Sequence, residues 1–167
     1  QYNPTDAEGN GSKMRGHAIS RDLMKWEDLG AALLPDESID CHGVYSGSAL
    51  VHDGIVSLFY TGNVKLPCGD GSCDYIYSGR EANTILVNTA DDSSFGVKQL
   101  LMTNDDYPND LSCHVRDPKV WCADVPCGRY LMVQGARRRV DAGNERLQGY
   151  VSSRTELFKR FNGANCF

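Results

Sequence analysis

Short runs of β-branched and aromatic residues, separated by turn residues, dominate the sequence and restrict the folds open to it. The clearest pair of runs spans residues 45–62, interrupted by Asp53-Gly54. Asp-Gly between two β-rich runs is a strong signal for a hairpin. A second hairpin is predicted over 119–136, and further strands over 84–90 and 147–153. Strands of this length and spacing predict an all-β sandwich, barrel or propeller.

The signals for a helix, a membrane span and a leader peptide are weak or missing. Residues 21–26 favour a short helix, for which Ser20 would be the N-cap. No run reaches the roughly 20 apolar residues of a membrane span, and no leader peptide is recognisable at the start. We therefore expect a cytoplasmic location. Because the chain begins at Gln1 without an initiator methionine, we also expect it to be part of a longer protein.

The charge balance disfavours two classes of partner. The sequence has 17 Lys and Arg against 22 Asp and Glu, a net charge of −5. This argues against nucleic acid or an anionic membrane surface as the main partner. The longest basic run, 137–139, is interpreted as a solvated hairpin tip rather than as a phosphate site.

Seven cysteines leave one unpaired in any complete disulfide scheme. Two C-x4-C pairs, Cys68/Cys73 and Cys122/Cys127, lie at the loose edge of zinc-ligand spacing. No histidine lies at the usual spacing from either pair, so we favour reduced cysteines in loops and expect neither a metal nor a cofactor. A zinc site and a local disulfide between Cys122 and Cys127 remain alternatives.

One segment places two opposite charges inside an otherwise apolar strand. In HVRDPKVW (114–121), Arg116 and Asp117 stand side by side and Pro118 follows. The proline predicts an extended backbone at Asp117, which would fix the direction of its side chain. Two interpretations are open from these residues alone, namely a local ion pair at a strand start and a polar binding site.

Six motifs in a fixed order separate these interpretations. Together they closely resemble glycoside hydrolase family 32, which includes invertases, sucrose-6-phosphate hydrolases and other β-fructosidases. The resemblance runs from Gln1 to about Ser153. The motifs are QYNP (1–4), GHAISRDLMKWE (16–27), YSGSALV (45–51), FYTGNVK (59–65), RDP (116–118) and MVQGA (132–136).

The resemblance implies a fold and a reaction. The fold would be a five-bladed β-propeller, with residues 1–167 as a single unit of the N-terminal catalytic domain. Four short strands per blade give roughly three blades, and a C-terminal β-sandwich would be absent. The reaction would be retaining hydrolysis of terminal β-fructofuranosyl bonds, with a small carbohydrate as partner. One carboxylate attacks the anomeric carbon and a second, about 5–5.5 Å away, protonates the leaving oxygen.

The resemblance also implies which residues contact the sugar. Asp117 would stabilise the transition state by accepting hydrogen bonds from two neighbouring hydroxyls. Arg116 would favour the ionised carboxylate and reach the sugar itself. Gln1 would present its amide to the substrate. Ser46 matches the serine of the family's F-S-G-S segment, and Tyr45 replaces its phenylalanine while keeping an aromatic face. Without the other motifs, Ser46 would be interpreted as a strand serine bonded to backbone.

Three residues of the GHAxSxDLxxW segment are interpreted as structural: His17 and Asp22 in a loop-organising network, and Trp26 as a packed tryptophan. A triad of Ser20, His17 and Asp22 is rejected, because residues so close in sequence do not easily converge.

The sequence departs from the family at the two reacting carboxylates. The family's nucleophile lies in a W-M-N-D-P-N-G segment and its acid/base in a Glu-Cys segment, and neither occurs in residues 1–167. We expect this stretch alone to be inactive, and its open sheet edges to offer a surface for self-association. The alternatives are a carbohydrate-binding or structural remnant, and a related five-bladed glycosidase acting on arabinosides or xylosides.

Overall fold

The computed structural model describes residues 3, 8, 11–69, 73–91, 93–123, 130–139 and 147–152, the last range for its backbone only. Within these ranges the chain forms nine β-strands and one 3-10 helix, Asn104–Asp106. The strands are Arg15–Ile19 (β1), Glu27–Leu33 (β2), Val44–His52 (β3), Ile55–Lys65 (β4), Arg80–Thr89 (β5), Gln99–Met102 (β6), Leu111–Cys122 (β7), Tyr130–Arg138 (β8) and Leu147–Ser152 (β9).

The strands form three antiparallel sheets, each made of consecutive strands. Their orders are β1-β2, β3-β4-β5-β6 and β7-β8-β9. The first strands of the second and third sheets, β3 and β7, lie against each other. Successive meandering sheets that meet along their first strands are typical of propeller blades. The predicted all-β fold and both predicted hairpins, over 45–62 and 119–136, are confirmed.

The turn between β3 and β4 has the geometry that its sequence predicts. Asp53 and Gly54 both have positive φ, 48° and 75°. Two left-handed residues in a two-residue loop match the right-handed twist of the flanking strands. The Asp-Gly signal therefore sets the register of the β3–β4 pair at this end.

The larger apolar cluster joins the second sheet to the third. Each fully buried side chain of this kind stabilises the fold by about 1.5–3 kcal/mol. Buried hydrogen bonds also join these two sheets. Gln134 Nε2, in β8, donates to Thr84 Oγ1, in β5, at 2.5 Å, and Thr84 Oγ1 is hydrogen-bonded to Tyr107 Oη at 2.9 Å. The apolar members are Phe59, Leu86, Leu101, Met102, Tyr107, Leu111, Val115, Val120, Met132 and Ala136.

A buried charged network fastens the loop after β2 to the second sheet. The Asp40 side chain is completely buried, and it accepts hydrogen bonds from Tyr60 Oη at 2.8 Å and Lys98 Nζ at 2.6 Å. Lys98 also bonds Asp36 at 2.5 Å. Burial alone would lower the pKa of Lys98, but the two carboxylates outweigh it and the pKa is raised.

Residues 21–25 form bends, so the helix predicted there is wrong. Leu23 has a φ of 60°, which is outside the right-handed helical region. Ser20 Oγ accepts the Leu23 amide at 2.8 Å, and Asp22 Oδ1 accepts two amides of the following turn. These side chains offer the backbone an alternative to helical bonding. Asp22 organises the loop as predicted, but Trp26 is 59% exposed and is not packed.

Cys68 and Cys73 form a disulfide, so the predicted reduced state is wrong for this pair. The β4–β5 connection brings their Cα atoms to 5.7 Å, within the usual range for a disulfide. Cys122 is also disulfide-bonded, whereas Cys127 lies outside the described residues. The thiols that stay free in the described part are Cys41, which is exposed, and Cys113, which is buried.

Two kinds of feature are absent from the described ranges. No group of three or more His, Cys, Asp or Glu side chains is placed to hold a metal there. No helix in those ranges has the length and apolarity needed to cross a membrane. The absence of a metal, the cytoplasmic location and self-association stay predictions.

Candidate active site

A β-bulge in β3 positions the first two candidate sugar contacts. The strand gains one residue relative to β4, so that Tyr45 and Ser46 lie opposite Thr61 alone. Both are partly exposed. A bulge locally bends the strand and redirects its side chains, and bulges are common beside active sites.

A second bulge, in β7, positions Asp117. The register of β7 on β8 shifts between Arg116 and Lys119. Asp117 has a φ of 59°, so the extended backbone predicted from Pro118 is wrong. The bulge takes one residue out of the strand conformation, and aspartate is one of the few residues that tolerate the left-handed region. The carboxylate is about half exposed, at 53%.

Thr61 holds the two bulges together. It lies opposite Tyr45 and Ser46 in the β3–β4 ladder, and its Oγ1 accepts a hydrogen bond from the Asp117 amide at 3.0 Å. A second tie runs from the Val120 amide to Ser48 Oγ, also at 3.0 Å. The first strands of two successive sheets therefore place Asp117 beside the Tyr45–Ser46 segment.

Sequence reasoning missed Thr61 and Ser48 as positioning residues. Both lie inside quoted motifs, FYTGNVK and YSGSALV. Nothing in either motif reveals a partner 56 or 72 residues away, so only the fold could identify them.

Arg116 lies close to the Asp117 carboxylate, at a distance longer than a hydrogen bond. Arg116 Nε is 3.8 Å from Asp117 Oδ2, and both side chains are about half exposed. An exposed pair at this distance contributes about 0–1 kcal/mol. The carboxylate thus remains able to accept hydrogen bonds from a ligand. Gln1, the other predicted contact, lies outside the described residues.

His114, three residues before Asp117 in β7, has a lowered pKa. Burial is the largest cause, nearby arginines lower the pKa further, and Asp117 acts in the opposite direction. The arginines are Arg116, Arg80 and Arg137.

Gly47 follows the bulge in β3, and because it has no side chain β3 can approach β4 closely at this point. An added Cβ would lie 1.9 Å from the Phe59 carbonyl oxygen, which is backbone and has little freedom to yield. We expect Gly47→Ala to lower the free energy of unfolding in urea by about 3 kcal/mol, because the strands must separate. Gly135→Ala is the matched control, since its Cβ would meet Arg116 O at an ordinary 3.7 Å. Equal losses in both variants would contradict this account.

These features define a class of protein. Successive antiparallel sheets meet along their first strands, and polar and aromatic residues emerge from bulges in those strands. Carboxylate, guanidinium, hydroxyl and aromatic groups are together suited to a polyhydroxylated ligand. The class is a β-propeller with a group of polar and aromatic residues where two successive sheets meet.

Comparison with known families agrees with this class. The model described as the glycosyl hydrolases family 32 N-terminal domain matches residues 1–162. The chain belongs to glycosyl hydrolase family 32. Its predicted fold, part of a five-bladed β-propeller, is confirmed. Of the three described sheets, only the second has the four strands expected of a blade, and the first and third have two and three.

Individual relatives are similar over most of this chain. A sucrose-6-phosphate hydrolase from Klebsiella pneumoniae is 39% identical over 137 residues, covering 82% of this chain and 26% of the relative. A raffinose invertase from Escherichia coli is 37% identical over 143 residues, covering 86% and 27%. The structure of a sucrose-6-phosphate hydrolase from Lactobacillus gasseri superposes with a TM-score of 0.62 at 28% identity, covering 83% of this chain and 25% of that one. The chain thus spans about a quarter of the length of these relatives.

Proposed function

We propose that the protein containing this unit hydrolyses terminal β-fructofuranosyl bonds with retention of configuration. The observation that carries the proposal is the placement of Asp117 beside Tyr45 and Ser46, on bulges joined by Thr61. Family 32 membership gives this arrangement its reaction class. Relatives named as a sucrose-6-phosphate hydrolase and a raffinose invertase support a small β-fructofuranoside as substrate.

Each residue then has a chemical role. Asp117 accepts hydrogen bonds from two neighbouring sugar hydroxyls, and these bonds strengthen as charge develops in the transition state. Arg116 provides a cation at the edge of the same carboxylate. Ser46 offers a hydroxyl to the sugar, and Tyr45 offers a ring face. Gln1 is proposed to contribute its amide.

The reacting carboxylates are proposed to come from sequence outside residues 1–167. The most deeply buried acid among the described residues, Asp40, is bonded to Lys98 and Tyr60 and therefore serves the fold. Asp117 neighbours Arg116, and in this proposal it binds the sugar and does not attack carbon. This unit thus binds and orients the fructosyl group, and a retaining mechanism needs a nucleophile and an acid in addition.

Residues 1–167 expressed alone should release no measurable fructose from sucrose, whereas the protein expressed from its complete reading frame should release it. Loss of the nucleophile removes the covalent route, and loss of general acid catalysis removes about 10²–10⁴-fold more. Enzymatic detection of fructose over several hours gives the comparison. Equal rates from the two proteins would show that the carboxylates are misplaced. Sugar binding without turnover by the complete protein would instead support a carbohydrate-binding remnant.

A further inference from the structure

An open cleft lies at the tip of the β1–β2 hairpin, in a different part of the fold from Asp117. It has a volume of about 450 Å³, which falls within the usual size range of small-molecule sites. β7, the strand that carries Asp117, packs mainly against β8, β3, β4 and β5. The cleft is therefore separate from the candidate active site. Its polar and aromatic lining residues are Ser20, Arg21, Asp22, Lys25, Trp26 and Glu27.

Trp26 presents its indole ring to solvent in this cleft. The residue is 59% exposed, although tryptophan is on average a highly buried residue. Its Nε1 donates to the Leu23 carbonyl oxygen at 3.3 Å, which restricts the orientation of the ring. An exposed aromatic face held in this way is suited to stacking against the apolar face of a sugar ring.

The bend that precedes Trp26 is fixed by its own side chains. Ser20 Oγ accepts the Leu23 amide at 2.8 Å, and Asp22 Oδ1 accepts the amides of Met24 and Lys25 at 2.9 and 2.8 Å. These bonds hold Leu23 at a φ of 60°, which bulky residues rarely adopt. Because the bend is already ordered, a ligand that binds there loses little free energy to ordering it.

Three charged side chains that line the cleft have no partner in the described part of the protein. Arg21, Lys25 and Glu27 form no ion pair and no side-chain hydrogen bond there. The guanidinium and ammonium groups can donate hydrogen bonds, and the carboxylate can accept them. The cleft thus offers free donors and free acceptors together with one aromatic face.

The charge of the cleft indicates the class of ligand. Two cations, Arg21 and Lys25, are balanced by two carboxylates, Asp22 and Glu27. A site without net charge gives no long-range attraction to an anion or to a cation. Separate donors and acceptors around an aromatic ring suit a neutral ligand with many hydroxyl groups.

We propose that this cleft binds a neutral oligosaccharide, as an accessory site apart from the residues that hold the reacting sugar. Trp26 stacks on one sugar ring, and Arg21, Lys25 and Glu27 hydrogen-bond its hydroxyls. The site holds a longer carbohydrate against the protein without taking part in the reaction. One aromatic face and a few exposed hydrogen bonds give a modest affinity, with a Kd on the order of 0.1–1 mM.

Isothermal titration calorimetry on the protein from its complete reading frame tests this site. The probes are an inulin-type fructo-oligosaccharide and maltohexaose, which distinguish a fructan from a glucan as the source of the sugar. The Asp117→Asn background slows hydrolysis of the fructan probe. We expect at least one probe to bind in a way that Trp26→Ala weakens by about tenfold, since the stacked ring is lost. Arg21→Gln should weaken the same binding by about 3- to 10-fold.

Met24→Ala is the matched control. Met24 belongs to the same bend and is 85% exposed, but its side chain does not line the cleft. Sugar binding should change by less than about twofold in this variant. With Asp117 intact, Trp26→Ala should also keep the kcat/KM of the parent for sucrose, because the cleft is separate from Asp117.

Two results would overturn the accessory site. One is sugar binding that is equal in the parent and in Trp26→Ala, or absent from both except at the active site. The other is a self-association or protein contact that depends on Trp26, with no sugar bound in the cleft. If Trp26→Ala does not fold, the comparison of Arg21→Gln with Met24→Ala decides. Sucrose hydrolysis tests the proposed function separately, and its absence would leave the binding result unaffected.

Discussion

Asp117→Asn should lower kcat for a β-fructofuranoside by about 10²–10³-fold in the protein from its complete reading frame. Asparagine keeps the shape of aspartate and loses the charge that strengthens its hydrogen bonds to the sugar. Bonds that strengthen only in the transition state contribute several kcal/mol to glycoside hydrolysis, and losing them lowers kcat more than it raises KM. Steady-state kinetics on sucrose and on its 6-phosphate measure both constants.

The fold should survive this substitution. The contact that joins β7 to Thr61 is made by the Asp117 backbone amide, not by its side chain. Asparagine also tolerates the left-handed φ of this position. Asp53→Asn is the matched control, because Asp53 is an exposed carboxylate with the same sign of φ in a hairpin turn. We expect less than about a twofold change in kcat for the control. An unaffected Asp117→Asn enzyme would show that the RDP segment is only structural.

Lys98→Met should lower the free energy of unfolding by about 3–5 kcal/mol. The substitution keeps an unbranched apolar stem and removes the ammonium group, which leaves the buried Asp40 carboxylate without its cation. Removing one partner of a buried ion pair exposes the full desolvation cost of the other. Urea unfolding at neutral pH measures the difference. Lys119→Met, at an exposed position, is the control and should change stability by less than about 0.5 kcal/mol.

The same network predicts a dependence on pH. The pKa of Lys98 is raised in the folded state, so its stabilisation is complete below the unfolded pKa of about 10.4 and is lost as pH rises through the folded value. The difference between the wild type and Lys98→Met should therefore shrink in strongly alkaline solution. A difference that stays constant or grows above that pH would contradict the assignment of Lys98 as the counter-charge of Asp40.

Most of the fold could be predicted from the sequence, because the signals that determine its turns and strands are local. Asp53-Gly54 determines a turn through its own backbone preferences, and alternating apolar residues determine which face of a strand is buried. The wrong helix at 21–26 has a local cause too. Ser20 and Asp22 looked like a capping signal, but they satisfy the backbone of a bend instead.

The members of the proposed site come from sequence motifs, and its geometry does not. The RDP and YSGSA motifs point to Asp117 and Ser46 as candidates, but the two bulges depend on how strands pair, and register is a property of two strands together. The contact from Asp117 to Thr61 spans 56 residues.

A crystal structure of the complete protein with fructose bound is the most direct test of the role of Asp117. We expect the two carboxylate oxygens of Asp117 to accept hydrogen bonds from two neighbouring fructose hydroxyls, at about 2.5–3.0 Å. We also expect Tyr45 and Ser46 to contact the same sugar. Fructose bound elsewhere, with Asp117 contacting Arg116 alone, would contradict it.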